Sequence, residues 1–239
     1  MDPIVIATGN PHKIDELRAI FAEQGIPVIG LRDVPGVMVE PEEHGTTFEQ
    51  NAAIKAISYA AQTGRICLAD DSGLEVDALS GAPGVISSHY STNGKETGLS
   101  RTERDAANNS RLLGELGKSN DRAARFVCCM ALAAPGSEIL ARSRGAFEGR
   151  IGLRPDVPRG DSGFGYDPLF LLPAPDNRTS AELSPEEKNA RSHRGAAARA
   201  MAVQINSLAD RGAGRISSPD RPPAPAPKPP PPAASTPRS

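Results

Sequence analysis

Two adjacent carboxylates, Asp70 and Asp71, follow a short apolar run at 66–69, and Ser72 and Gly73 come directly after them. The run is typical of a buried strand, which does not normally end on two acids for reasons of packing. Two anions about 4 Å apart repel by roughly 4 kcal/mol at an effective dielectric constant near 20. A hard cation such as Mg²⁺ would remove that repulsion. The alternative is an Asx-type turn that caps the next element, and the four residues alone favour it.

A second group of acids, Glu40, Glu42 and Glu43, lies in a short segment before Gly45. A solvated loop is the default interpretation of such a run. The more specific interpretation is metal ligation, because two aspartates alone leave a divalent cation short of protein oxygen ligands.

The segment Thr8-Gly9-Asn10-Pro11-His12-Lys13 joins a β-branched run at 4–7 to a predicted helix. Its asparagine suits the N-cap position, and its proline suits the first helical position, where no N–H is needed. Free amide groups and the helix dipole favour an anion at such a junction, and Lys13 and Lys55 could add full positive charges. The segment lacks the spacing of a P-loop. A plain capped helix explains it equally well.

Glycines flank Phe164 in the segment Gly163-Phe164-Gly165-Tyr166-Asp167. This arrangement predicts an exposed ring on a mobile turn, and an exposed aromatic ring is a suitable platform for a flat heterocycle. Filling of the core is the competing explanation and the usual one for a single phenylalanine.

A basic group lies near the end of the chain. Ser184 and Pro185 predict the start of the last helix, which carries Lys188, His193 and Arg194. A histidine alone is usually structural. Beside a lysine and an arginine, it forms part of a patch that suits an anionic ligand.

The elements that must position these residues alternate between strand and helix along the chain. Apolar runs predict strands, and positions three and four apart predict helices. The further predicted strands are 126–134, 138–145 and 169–172, and the further predicted helices begin at Phe48 and Thr102.

Length and composition limit the class of protein. The chain has 239 residues, 38% hydrophobic and 23% charged, which is typical of a soluble globular protein. A net charge of −2 provides no general attraction for nucleic acid or for an anionic membrane. No secretory signal and no apolar run of about 20 residues is present. Three cysteines argue against a disulfide framework, so the cytoplasm is the expected compartment.

The composition changes near the end of the chain. The last residues are rich in proline and cannot form a core. We therefore predict one domain at 1–210 and a Pro-rich disordered tail at 211–239.

Five motifs in register resemble those of one enzyme family. They are Thr8–Lys13, Thr47-Phe48 with Asn51 and Lys55, Ala69–Leu74, Gly163–Pro168, and Glu187-Lys188 with Ser192-His193-Arg194. Together they resemble the non-canonical purine nucleoside triphosphate pyrophosphatases, also called inosine triphosphatases or XTP/dITP diphosphohydrolases. The similarity extends over about residues 4–208. Each motif alone is weak, whereas the set is highly specific.

The resemblance implies an α/β fold with a long central mixed β-sheet, flanking helices, and two lobes around an active-site cleft. It implies a homodimer that uses Mg²⁺ to hydrolyse ITP, dITP and XTP to the monophosphate and pyrophosphate. Asp71 would be the general base and a metal ligand, with Glu42 as a second ligand. The residues implied to bind the substrate are Thr8, Gly9, Asn10, Pro11, His12, Lys13, Lys55, Ser72, Phe164, Gly165, Tyr166, Asp167, Lys188, His193 and Arg194.

Two positions depart from the family pattern. Bacterial relatives often carry an aromatic residue and an arginine in the loop after Gly84, where this chain has Ile86 and His89. The alternatives are a pyrophosphatase for other modified nucleotides and a catalytically silent nucleotide-binding module. The intact acidic and basic motifs argue against a catalytically silent module.

Overall fold

The computed structural model describes residues 2–213, except for the side chains of His12, Gly212 and Ala213. The predicted tail at 211–239 lies outside the described residues from 214 onward. None of the helices in the described part combines the length and the apolar character that a membrane span requires.

Six strands form one mixed sheet in the order β2-β1-β3-β4-β5-β6, and β1 is parallel to both of its neighbours while the other pairs are antiparallel. The strands are β1 (Ile4–Ile6), β2 (Val28–Gly30), β3 (Cys67–Val76), β4 (Ala123–Ala133), β5 (Ile139–Ile151) and β6 (Phe170–Leu171). The helices are α1 (Pro11–Glu23), α2 (Phe48–Thr63), α3 (Arg101–Leu116), α4 (Pro185–Arg191) and α5 (His193–Ala213). The expected α/β fold with a mixed sheet and flanking helices is confirmed.

The two faces of the sheet pack against different helices. Ile4 and Ile6 of β1 join a buried cluster with α1 and α5, whereas Val5, between them, packs with α2. This follows from the alternation of side chains along a strand. A separate core lies beneath α3, where Leu112 packs with Phe170 and other residues of β4 to β6. The cleft lies between these cores.

The course of β3 differs from the prediction. The sequence predicts a strand that ends before Asp70, but β3 continues to Val76 and pairs with β4 along its whole length. A long apolar partner strand overrides the low strand preference of aspartate, because strand preference depends strongly on context. The acidic motif is therefore extended strand rather than a turn.

The predicted last helix is two helices. The helix start predicted at Ser184 and Pro185 is confirmed, and Ser184 forms a capping box with Glu187, but the chain is extended at Ser192 (φ −69°, ψ 157°). The Ser192 hydroxyl accepts a hydrogen bond from the Gly195 N–H at 3.0 Å. A serine that caps backbone N–H groups favours a helix start over a helix interior. His193 and Arg194 therefore occupy the first turn of α5.

Gly145→Ala should destabilise the protein by about 1–3 kcal/mol, the usual cost of overpacking. Gly145 lies on β5 where α5 crosses it, and a Cβ atom there would lie 2.6 Å from the Ala197 nitrogen. Urea unfolding would measure the loss. Gly114→Ala is the matched control: a Cβ atom at Gly114 would have no other atom within 4 Å, and alanine in a helix should add about 0.5–1 kcal/mol. Equal effects of the two substitutions would contradict the close helix–strand contact.

Candidate active site

A cavity of about 900 Å³ opens between the cores, within the range of small-molecule sites. It is bordered by the turn after β1, by α2, β3 and the 3₁₀ segment Gly84–Thr92, and by the ends of α3, α4 and α5. The residues predicted from the sequence that line it are Thr8, Gly9, Asn10, Pro11, Lys13, Lys55, Asp71, Ser72, Phe164, Gly165, Tyr166, Asp167, Lys188, His193 and Arg194.

Three predicted site residues are not part of this lining. Asp70 is buried on the other face of β3, Glu42 is exposed, and the side chain of His12 is outside the described part of the chain. Glu40 and Glu43, the neighbours of Glu42, do line the cavity.

Asp71 faces the cavity from β3. It accepts hydrogen bonds from Asn51 Nδ2 and Lys55 Nζ, both at 3.2 Å, and Lys55 Nζ also lies 2.9 Å from Glu43 Oε2. Burial raises the pKa of Asp71, with a further contribution from Glu43 and opposition from Lys55. For Lys55, burial lowers the pKa, but Asp71 and Glu43 outweigh it and the net shift is upward. Asp71 is thus a carboxylate that is more basic than usual beside a charged lysine.

Asp70 has a different environment, although it is the next residue. Its Oδ2 lies 2.9 Å from Lys13 Nζ of α1 and 3.5 Å from Arg194 Nε of α5. Burial opposes ionisation, but these two cations hold the pKa of Asp70 well below its usual range. The prediction that one cation is shared by Asp70 and Asp71 is wrong, because consecutive strand residues point to opposite faces.

Arg194 is buried within the same ionic network. Its Nη1 donates to Glu16 Oε2 at 2.5 Å and its Nη2 donates to Ser72 Oγ at 3.1 Å. Glu16 was not among the predicted residues; its position three residues after Lys13 on α1 is the signal that could have identified it. The network joins α1, β3 and α5, and its members Lys13, Ser72 and Arg194 also line the cavity.

His193 is an uncharged histidine in this site. Its ring stacks on Phe126, with centroids 5.1 Å apart and planes at 20°. Burial lowers the pKa of His193 well below its ordinary value, and Arg194 and Lys188 lower it further. Its Nδ1 is buried without a hydrogen-bond partner in the structure. A neutral imidazole provides one donor and one acceptor.

The segment around Phe164 is held more firmly than predicted. The Phe164 N–H donates to Asp167 Oδ2 at 2.8 Å, and the same oxygen accepts from Lys188 Nζ at 2.7 Å. The Gly165 N–H donates to Asp105 Oδ2 on α3 at 2.9 Å. The Phe164 ring is half-buried rather than exposed, and the guanidinium carbon of Arg101 lies 4.5 Å from its centroid.

Sequence reasoning missed the contribution of α3. Arg101, Arg104 and Asp105 from its first turns line the cavity, as do the two departing positions, Ile86 and His89. Repeated charged residues three and four apart at a helix start were the available signal. That signal does not indicate whether this part of the helix faces the cavity.

The architecture and the site define an α/β protein with a charged cleft suited to a polyanionic, partly aromatic ligand. Residues 4–204 match the Ham1 family, and the chain belongs to that family. A dITP/XTP pyrophosphatase of Exiguobacterium sp. is 48% identical over 202 residues, which are 84% of this chain and 96% of that protein. A dITP/XTP pyrophosphatase of Nitratidesulfovibrio vulgaris is 49% identical over 201 residues, 83% of this chain and 93% of that protein.

A solved structure gives the same result for the fold. The HAM1 protein from Coxiella burnetii has a TM-score of 0.72 and 39% sequence identity, and the match covers 87% of this chain and 100% of that chain. The family resemblance predicted from the five motifs is confirmed.

Proposed function

We propose that this chain hydrolyses inosine and xanthosine triphosphates (ITP, dITP and XTP) to the monophosphate and pyrophosphate. The observation that carries the proposal is one cavity lined by Asp71 with Lys55, by the turn at 8–13, and by Phe164. The dITP/XTP pyrophosphatase name of the relatives supports the same enzyme class.

The phosphate chain would bind at the turn between β1 and α1. The start of α1 at Pro11 directs free backbone N–H groups and the positive end of the helix dipole toward the turn. Lys13 lines the cavity from the same helix, and Lys55 lines it from α2. These charges would offset the repulsion that a triphosphate carries into a chain of net charge −2.

Asp71 would act as the general base. Attack of water breaks the α–β phosphoanhydride bond, the proton passes to Asp71, and pyrophosphate leaves. Phosphoryl transfer needs charge neutralisation and positioning rather than a covalent intermediate. The raised pKa of Asp71, caused by burial, brings the carboxylate closer to the range of an effective base at neutral pH.

The acids at the site suit a magnesium ion that arrives with its substrate. Among the described residues, no group of three or more His, Cys, Asp and Glu side chains could hold a metal alone. Asp71 and Glu43 nevertheless share the ammonium group of Lys55, so this position already carries a cation between acids. Mg²⁺ is usually bound through one or two carboxylates together with substrate phosphates. Asp71 and a carboxylate of segment 40–43 would hold it, and it would neutralise phosphate charge.

The base would be selected by hydrogen bonds rather than by stacking. Stacking on Phe164 would not distinguish purines, since every base has a π-face. Hypoxanthine and xanthine present an acceptor at the six-position, where adenine presents a donor. The neutral His193 and the cations Lys188 and Arg194 could satisfy an acceptor there, and adenine would leave buried donors unpaired.

The test is the product formed from ITP, XTP, GTP and ATP, with and without Mg²⁺. We expect pyrophosphate from ITP and XTP only with Mg²⁺, and turnover of ATP slower by at least about 100-fold. Orthophosphate as the product would identify a phosphatase instead. Binding without turnover would identify a nucleotide-binding module, and preference for another modified nucleotide would identify a related pyrophosphatase.

We also propose that the protein acts in the cytoplasm as a homodimer. Both statements rest on the family resemblance, and the buried, unpaired Cys67, Cys128 and Cys129 agree with a reducing compartment. Sedimentation equilibrium would measure the mass in solution. A monomer at micromolar concentration would contradict the dimer.

A further inference from the structure

Arg101 and Arg104 lie one turn apart on α3, and both line the cavity. Residues three apart on a helix share a face, so the two guanidinium groups belong to one wall of the site. Two of the backbone amides at this helix start are already used, because Ser100 and Glu103 form a capping box. An anion at this wall would therefore be bound by the arginine side chains.

The two arginines are the least neutralised cations of the cavity wall within residues 2–213. Each of the other lining lysines and arginines has a carboxylate oxygen within 3 Å: Lys13 with Asp70, Lys55 with Glu43, Lys188 with Asp167, and Arg194 with Glu16. For Arg101, the closest ion-pair contact is 4.0 Å to Asp105. For Arg104, it is 3.6 Å to Glu96, whose side chain is 66% exposed.

The hydrogen-bond partners of the two arginines are side chains without a negative charge, and one of these contacts is long. Arg101 Nη1 donates to Asn10 Oδ1 at 3.4 Å, and its guanidinium group covers the Phe164 ring. Arg104 Nη1 lies 3.1 Å from His89 Nε2, and Arg104 Nε is buried without a hydrogen-bond partner. A buried donor without a partner is costly, which favours an acceptor at this point when the site is filled.

The position of Arg101 connects the two ends of the proposed ligand. Asn10 belongs to the turn that would bind phosphate, and Phe164 belongs to the segment that would bind the base. Arginine matches phosphate oxygens with two parallel hydrogen bonds, which lysine cannot do.

We propose that Arg101 and Arg104 bind the phosphate chain of the nucleotide from α3, in addition to Lys13 and Lys55. The proposal deepens the proposed function and rests on it for the identity of the substrate. Both residues are positioning residues for the phosphates, and neither takes part in proton transfer.

Arg101→Gln and Arg104→Gln test the proposal, because glutamine keeps the polar character and removes the charge. Each should weaken binding of inorganic pyrophosphate, measured by calorimetry with Mg²⁺ present, by about 10-fold, and the double variant by on the order of 100-fold. The value of kcat/KM for ITP should fall by similar factors. Arg→Lys at either position should restore part of the loss, since it restores charge without the paired hydrogen bonds.

Arg18→Gln is the matched control, because Arg18 makes a surface ion pair with Asp33 and does not line the cavity. Its pyrophosphate affinity should equal that of the wild type. Pyrophosphate affinity within twofold of the wild type in the double variant would overturn the proposal and leave the proposed function intact. A third outcome would overturn the proposed function alone: the wild type binds pyrophosphate, the double variant does not, and the wild type shows no turnover of ITP. A wild-type protein that binds neither pyrophosphate nor ITP would overturn both.

Discussion

Asp71→Asn should lose most of its turnover, by about 10²–10⁴ in kcat, and keep its fold. The loss follows from removal of the proposed general base. The fold should survive because asparagine has the same shape, and because Lys55 keeps Glu43 as a partner at 2.9 Å. Stability at neutral pH should be unchanged or higher. A carboxylate whose pKa is raised in the folded protein opposes folding once pH exceeds that pKa.

The measurement is the initial rate of pyrophosphate release at saturating ITP, together with urea unfolding of the same preparation. Asp77→Asn is a suitable control, since Asp77 lies just beyond β3 and pairs at the surface with Arg125. A folded Asp71→Asn variant within threefold of the wild-type rate would refute the assignment of the base.

In contrast to Asp71→Asn, Asp70→Asn should lower the free energy of unfolding by about 3–5 kcal/mol. Removal of one member of a buried ionic network leaves the others without compensation. Lys13 would lose its carboxylate partner, and Arg194 would lose one of its two carboxylate partners and keep Glu16. The free energy of unfolding in urea at pH 7 measures this loss, with Asp71→Asn as the neighbouring control. Equal stability of the two variants would contradict the separate environments of the two aspartates.

The stability difference between the wild type and Asp70→Asn should change with pH in a defined direction. The pKa of Asp70 is depressed by Lys13 and Arg194 in the folded protein, so its contribution is present above the unfolded value near 4 and is lost as pH falls below it. The stability difference between the wild type and Asp70→Asn should therefore shrink on acidification from pH 5 toward pH 2. A difference that is constant over this range would show that the charge of Asp70 is not the cause.

The elements themselves were largely predictable from local pattern. The helix starts at Phe48 and Ser184 and the apolar patterns of α2 and β4 are local signals, and the structure has each of them. The missed break at Ser192 has a local signal, the serine that caps the Gly195 N–H, whereas the close approach of the following turn to Gly145 of β5 is a long-range contact that no window of sequence contains.

The sequence predicted which residues belong to the site better than it predicted how they are arranged. The five motifs contain about half of the residues that line the cavity. Asp70, however, was expected to share a cation with Asp71, because the prediction ended the strand before Asp70. Pairing with β4 decides where β3 ends, and pairing is a long-range property. The arginines of α3 were missed for a similar reason: their distance from Phe164 depends on the packing of α3 against the segment at 163–167, which is far from it in the sequence.

The opposite orientation of Asp70 and Asp71 has a consequence for folding fidelity. Each residue of β3 has a defined partner on β4, Asp70 opposite Met130 and Asp71 opposite Cys129. A slip of one residue would turn every side chain of β3 to the other face. One direction of slip would put Ala69 in the place of Asp70, and the other would put Ser72 in the place of Asp71. The first slip would leave Lys13 without its carboxylate partner, and the second would remove one of the two carboxylates that contact Lys55. Residues of the candidate site therefore also help to fix the register of the sheet.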